Sequence, residues 1–80
     1  MKQIRLLYFA QLRSERGVTE EVYRTEARGL RELYGELSRR YGLSLDFEKL
    51  RVAVNHGLVT PDQPFQGGDT VAFIPPVSGG

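Results

Sequence analysis

Thr70-Val71-Ala72-Phe73-Ile74 is a run of five uncharged residues, apolar enough toward both faces of a strand to be covered on each. A strand of that kind belongs inside a sheet, and Lys2 to Phe9 (KQIRLLYF) is its counterpart near the other end of the chain. There Ile4, Leu6 and Tyr8 share one face while Arg5, Leu7 and Phe9 share the other. Two such strands separated by a crossover are expected to lie side by side and parallel. Around them, the rest of the chain reads as hairpins and one long helix.

The helix is Gly29 to Tyr41, where Leu30, Leu33, Leu37 and Tyr41 recur at helical spacing and Arg31, Glu32, Glu36, Arg39 and Arg40 take the other side. Thr25 is a candidate start signal, Glu36 is expected to pair with Arg39 or Arg40, and Gly42 stands where a left-handed cap is wanted. Gly35 in mid-helix costs about 1 kcal/mol against alanine. Ala10 to Arg16 promises a shorter helix closed by Gly17, and the half-polar Glu20 to Thr25 suits an edge strand paired with the first. Leu50 to Asn55 alternates like a strand, His56-Gly57 offers a turn and Leu58 to Thr60 returns. The fold class expected is α+β: a ubiquitin-like β-grasp, a mixed sheet with one main crossover helix, over residues 1–74. Residues 75–80 are expected to leave it as a projecting, flexible Gly-Gly tail.

Composition narrows the chemistry. The 80 residues are 40% hydrophobic and 26% charged, an ordinary globular mixture. Without cysteine there is no disulfide, thiolate nucleophile or zinc knuckle, so packing alone must hold the domain. The formal net charge of +1 creates no field to draw the chain onto nucleic acid, and the opening segment is too short and too charged for an export signal or a spanning helix. The expectation is a cytoplasmic protein with no nucleic-acid or membrane partner.

Few side chains form a catalytic set. His56 is the single histidine and reads as a turn residue, leaving no metal site to expect. Glu20-Glu21 and Asp46-x-Glu48 are carboxylate pairs on a strand and in irregular chain, and Gly67-Gly68-Asp69 lacks the lysine and helix of a phosphate loop. Arg28, Arg31, Arg39 and Arg40 alternate with Glu32 and Glu36 as on a solvated helix face.

The chain's end is different. Pro75-Pro76-Val77-Ser78-Gly79-Gly80 follows the apolar strand directly. Prolines favour extended chain and donate nothing to a ladder, so the segment should project, reaching roughly 20 Å if extended. Gly79 and Gly80 carry no Cβ, which lets the backbone thread a narrow channel and opens the terminal carbonyl carbon to attack. Its carboxylate is ionised at neutral pH and is a poor electrophile until activated. The tail has the chemistry of a substrate.

These residues resemble the MoaD family, the ubiquitin-like small subunit of molybdopterin synthase. The resemblance rests on Leu7-Tyr8-Phe9-Ala10-Gln11-Leu12-Arg13, on Val52-Ala53-Val54-Asn55 with Leu58-Val59, on Gly68-Asp69-Thr70-Val71-Ala72-Phe73, and on the Pro-Pro-Val-Ser-Gly-Gly end. Glu26 stands where threonine is common and Ile74 where the family often has an aromatic. The resemblance implies a sulfur carrier that binds no cofactor itself. An activating enzyme would use ATP to adenylate Gly80, and a sulfur donor would convert the adenylate to a thiocarboxylate. The large subunit, carrying the acid-base groups, would receive the tail and pass the sulfur to cyclic pyranopterin monophosphate, in a heterotetramer of two large and two small subunits. Gly80 is then the reacting residue, Pro75, Pro76, Val77, Ser78 and Gly79 form the inserted arm, and Phe9, Arg13, Leu58 and Ile74 correspond to the contact surface. A carrier for thiamine synthesis or transfer-RNA thiolation, and a protein modifier joined through Gly80 to lysines, are the alternatives.

Overall fold

The structure, a computed structural model, describes residues 1–76; Val77, Ser78, Gly79 and Gly80 of the expected tail lie outside the described residues. The elements run β1 (Lys2–Tyr8), α1 (Ala10–Arg16), β2 (Glu20–Thr25), α2 (Leu30–Tyr41), one turn of 3-10 helix (Phe47–Lys49), β3 (Arg51–Val54), β4 (Gly57–Val59) and β5 (Thr70–Ile74). Five strands form one sheet in the order β2-β1-β5-β3-β4. β1 and β5 are parallel, with Leu6 opposite Val71 and Tyr8 opposite Phe73, and every other pairing is antiparallel. The β-grasp layout and its central parallel pair are therefore as the strand composition predicts.

Alternation along the strands sorts the side chains. Ile4, Leu6, Tyr8, Tyr23, Val52, Val71 and Phe73 are buried on the face that also buries Leu30, Leu33, Tyr34 and Leu37 of α2. Tyr34, Phe47 and Phe73 meet with ring centroids 5.1 to 6.4 Å apart, a tilted packing that suits the quadrupoles of the rings. No helix lies over the other face among the described residues, so β1 and β5 are covered more fully on one side than their composition predicts.

Several local expectations change. Thr25 does not start α2. It ends β2, where its hydroxyl accepts the Ala27 N–H at 2.9 Å and donates to Glu36 Oε1 at 2.8 Å. Glu36 also accepts from the Tyr23 hydroxyl at 3.1 Å, so it faces the sheet rather than pairing with Arg39 or Arg40. The start of α2 is Gly29, steadied by Glu32, whose carboxylate accepts the Arg28 N–H at 2.8 Å. Its end is the expected one: Gly42, at φ 67°, donates to Ser38 O at 2.9 Å, and the buried Leu43 covers the last turn. In the β3–β4 hairpin the two turn residues are Asn55 and His56, both left-handed at φ 53° and 73°, and Gly57 already belongs to β4. This is the double positive-φ geometry that a two-residue hairpin requires.

Candidate functional site at the root of the tail

The open face of the sheet carries a row of apolar side chains set by the strand register. Leu7 lies opposite Ala72, Ala72 opposite Ala53, and Ala53 opposite Leu58, so all four project to the same side. The two alanines sit in the middle of the row with larger residues at both ends. Small side chains flanked by large ones leave a trough, and a depression of about 200 Å³ occurs there, lined by Leu7, Phe9, Ala53, His56, Thr70, Ala72 and Ile74. Leu58 rises beside it, 63% exposed, and Phe9 closes one end, 43% exposed.

Of the four surface residues expected, Phe9 and Ile74 line the trough together, and Leu58 shares its face through the pairing with Ala53. Arg13 is exposed on α1, one turn beyond Phe9, and stands outside the trough. The tail begins where the trough ends. Ile74 is the last residue of β5, Pro75 is buried against the body and Pro76 is exposed. Gly80, Gly79, Ser78 and Val77 lie outside the described residues.

The position of Phe9 is fixed from behind. The Tyr8 hydroxyl donates to Glu21 Oε2 at 2.5 Å, and Arg16 grips the same carboxylate with Nε at 3.1 Å and Nη2 at 2.8 Å. Arg16 also stacks over the Tyr41 ring, 3.8 Å from its centroid. Burial and the bond to Glu21 push the Tyr8 phenol far above its ordinary range, so it remains a donor. Burial alone would raise the Glu21 carboxyl, but the bonds from Arg16 and Tyr8 outweigh it and hold the group low. Directly after Phe9, Ala10 is left-handed at φ 50°, a conformation that costs a non-glycine residue about 1 kcal/mol or more and turns the chain sharply into α1. On the far side of α1, Glu15 accepts from the Ser44 N–H at 3.0 Å and from its hydroxyl, tying the helix to the loop after α2.

Leu7, Ala53, His56, Thr70 and Ala72 escape a reading that treats each element separately. Their signal is the alanine in the third position of both β3 and β5, where a half-buried strand ordinarily carries a branched or aromatic side chain. Among the described residues no group of His, Asp and Glu is placed to hold a metal ion. The site offers an apolar surface and an emerging strand terminus rather than a constellation of acids and bases.

A ubiquitin-like β-grasp body with an apolar trough beside the exit of a Gly-Gly terminus is the class of protein defined by this arrangement. The sequence pattern of the ThiS family matches residues 6–80, and the chain belongs to that family. It is 43% identical to the molybdopterin synthase sulfur carrier subunit of Escherichia coli strain K12, across 96% of this chain and 99% of that one. It is 36% identical to the protein of the same name from Haemophilus influenzae, with the same coverage of both chains. A solved structure from Pyrococcus furiosus, assigned as subunit 1 of a molybdopterin converting factor, superposes with a TM-score of 0.76 at 29% identity, covering 96% of this chain and all of that one.

Proposed function

We propose that this chain is the sulfur carrier subunit of a molybdopterin synthase and acts in the cytoplasm. The supporting observation is the joining of two features at one edge of the fold: β5 supplies Ala72 and Ile74 to the apolar trough and then runs through Pro75 and Pro76 toward Gly79-Gly80. The whole-length likeness to two carrier subunits of that name selects this reading from others that a β-grasp could serve.

The chemistry follows from the terminus. Attack of the Gly80 carboxylate on the α-phosphorus of ATP, in an activating enzyme, gives an acyl adenylate and releases pyrophosphate. The outer sulfur of a donor persulfide then displaces AMP to form an acyl disulfide, and a thiol cleaves its S–S bond, leaving the thiocarboxylate and a disulfide between donor and thiol. The chain has no cysteine from which to supply that sulfur. In the complex, the large subunit covers the trough and admits the glycine terminus, and sulfur passes to cyclic pyranopterin monophosphate. Two small and two large subunits make the heterotetramer.

The test is to incubate the chain with an activating enzyme, ATP, a persulfide donor and a thiol reductant and record its intact mass. Exchange of one oxygen for sulfur at Gly80 is the expected result. Lysine-linked adducts to other proteins without that exchange would favour a modifier, and sulfur delivered only to a thiamine precursor or transfer RNA would assign a different pathway.

A further inference from the structure

β2 forms one edge of the sheet, and its six residues leave a longer free rim than the three of β4 at the other edge. An edge strand presents a row of unpaired N–H and C=O groups that another strand can complete. The ladder on the inner side of β2 decides which residues own that row. The Tyr8 N–H donates to Thr19 O at 2.9 Å, one step beyond the Leu7–Glu20 pair, while the Arg5 N–H turns the other way, to Asp69 O at 3.0 Å. Bonding therefore alternates: Glu21, Tyr23 and Thr25 direct their backbone groups to β1, and Glu20, Val22 and Arg24 direct theirs outward.

The same alternation sends the side chains of Glu20, Val22 and Arg24 to the open face, since Tyr23 and Thr25 are buried on the face covered by α2. Val22 is 58% exposed, with a carboxylate to one side of it along the strand and a guanidinium to the other. Glu20 Oε2 accepts from Arg5 Nη1 at 2.6 Å, and Arg24 Nε donates to Gln3 Oε1 at 3.3 Å. Among the described residues, Glu20 Oε1 and the two terminal nitrogens of Arg24 have no partner.

We propose that this edge pairs with the same edge of a second copy of the chain, antiparallel about a two-fold axis at Val22. Val22 then lies opposite Val22 of the second copy, and Glu20 lies opposite its Arg24 at both ends. Registers that keep the two open faces on one side differ by steps of two residues, and a step either way sets Glu20 or Arg24 against Val22. The Val22-centred register alone matches opposite charges twice, and it puts every outward-pointing residue in a hydrogen-bonded pair. The axis stands perpendicular to the sheet, so the two sheets continue as one and both troughs stay uncovered. So short a pairing buries less than the roughly 1,200 Å² of a stable complex, which makes this a weak dimer of the free chain.

Sedimentation equilibrium of the full chain, from about 20 µM to about 1 mM, should show a monomer–dimer equilibrium that weakens as salt rises. Glu20→Arg and Arg24→Glu each set like charges opposite one another, and each alone should lower association at least tenfold. Mixed in equal amounts, the two variants again bring opposite charges together at both ends, and a heterodimer should form about as well as the parent dimer. Val22→Pro removes an outward N–H that the monomer does not use, so it should fold, as far-UV circular dichroism reports, and remain monomeric. A parent that is monomeric at the highest concentration would overturn the proposal and leave the edge to a strand of another protein. A mixture no more associated than its components, or a folded Val22→Pro that still dimerises, would overturn it as well. Association lost in Phe9→Glu but kept in Glu20→Arg would overturn it by placing the contact in the trough.

Discussion

Asn55 and Thr70 bind each other twice: the Asn55 N–H donates to Thr70 O at 2.7 Å, and the Thr70 N–H donates to Asn55 Oδ1 at 2.9 Å. The side chain thereby extends the β3–β5 ladder one step past Val54, while Asn55 Nδ2 reaches Asp69 Oδ1 at 3.0 Å. One residue satisfies the start of β5 and also supplies the left-handed first position of the hairpin turn. Asn55→Ala removes the side-chain bonds and places a less tolerant residue at φ 53°, and should cost about 1–3 kcal/mol. Asn55→Gly, which relieves the backbone but not the bonds, should lose less. Urea unfolding of both variants measures the difference.

Gly35 should be replaceable with gain. A Cβ built there meets only Arg39 Nη1, at 3.5 Å, an ordinary contact with the end of a flexible side chain. Gly35→Ala should therefore raise stability by about 0.5–1 kcal/mol through helix propensity. Thermal and urea unfolding check it, and a decrease would mean that α2 needs the glycine for a reason outside its packing.

Acid should loosen the corner that holds Phe9. The Glu21 carboxyl is lowered in the folded state, so its contribution is present above the ordinary carboxylate range and is lost as pH falls through the lowered folded value. Glu21→Gln should be less stable than the parent near neutrality, with a gap that narrows once pH drops below about 4.3, the unfolded carboxylate value. Stability measured from pH 7 to pH 3 gives both curves; parallel curves would contradict the assignment.

The trough predicts where affinity resides. Phe9→Glu and Leu58→Glu alter side chains that are 43% and 63% exposed, so both variants should fold normally. Each should weaken binding to the large subunit by roughly thirtyfold, the equivalent of about 2 kcal/mol for a central apolar anchor. Arg13→Ala, outside the trough, should act mainly on the salt dependence of association. Titration calorimetry on the three variants separates these effects.

The parts of the fold that were legible in the sequence are those in which one physical signal dominates. Val71 and Phe73 had to be buried and α2 had to be amphipathic, and the order of elements left the parallel pairing of β1 with β5 as the natural closure. Gly17 and Gly42 marked both helix ends because their conformations exclude most other residues. Thr25 was misleading because a hydroxyl caps a helix or a turn by the same chemistry, and only Glu36 arriving from α2 decides between them. The surface was partly legible: Phe9, Leu58 and Ile74 came from a family resemblance, whereas the alanine floor and His56 depend on cross-strand register. The burial of Pro75 and the capture of Lys2 by Phe65 both depend on contacts made across the fold, which composition does not record.

The position of β5 also bears on how the chain folds. Its neighbours β1 and β3 come from opposite parts of the sequence, and Leu6 must find Val71 across nearly the whole length before the sheet is continuous. The β1–β2 and β3–β4 hairpins can form from local contacts, but they remain two half-sheets with a slot between them until the final strand enters. Such long-range closure is characteristic of slower folding. Because the strand that closes the slot also carries Ala72, Ile74 and the root of the tail, a partly folded chain lacks both the docking trough and a correctly placed terminus. An activating enzyme that requires both features would act only on molecules whose folding is complete.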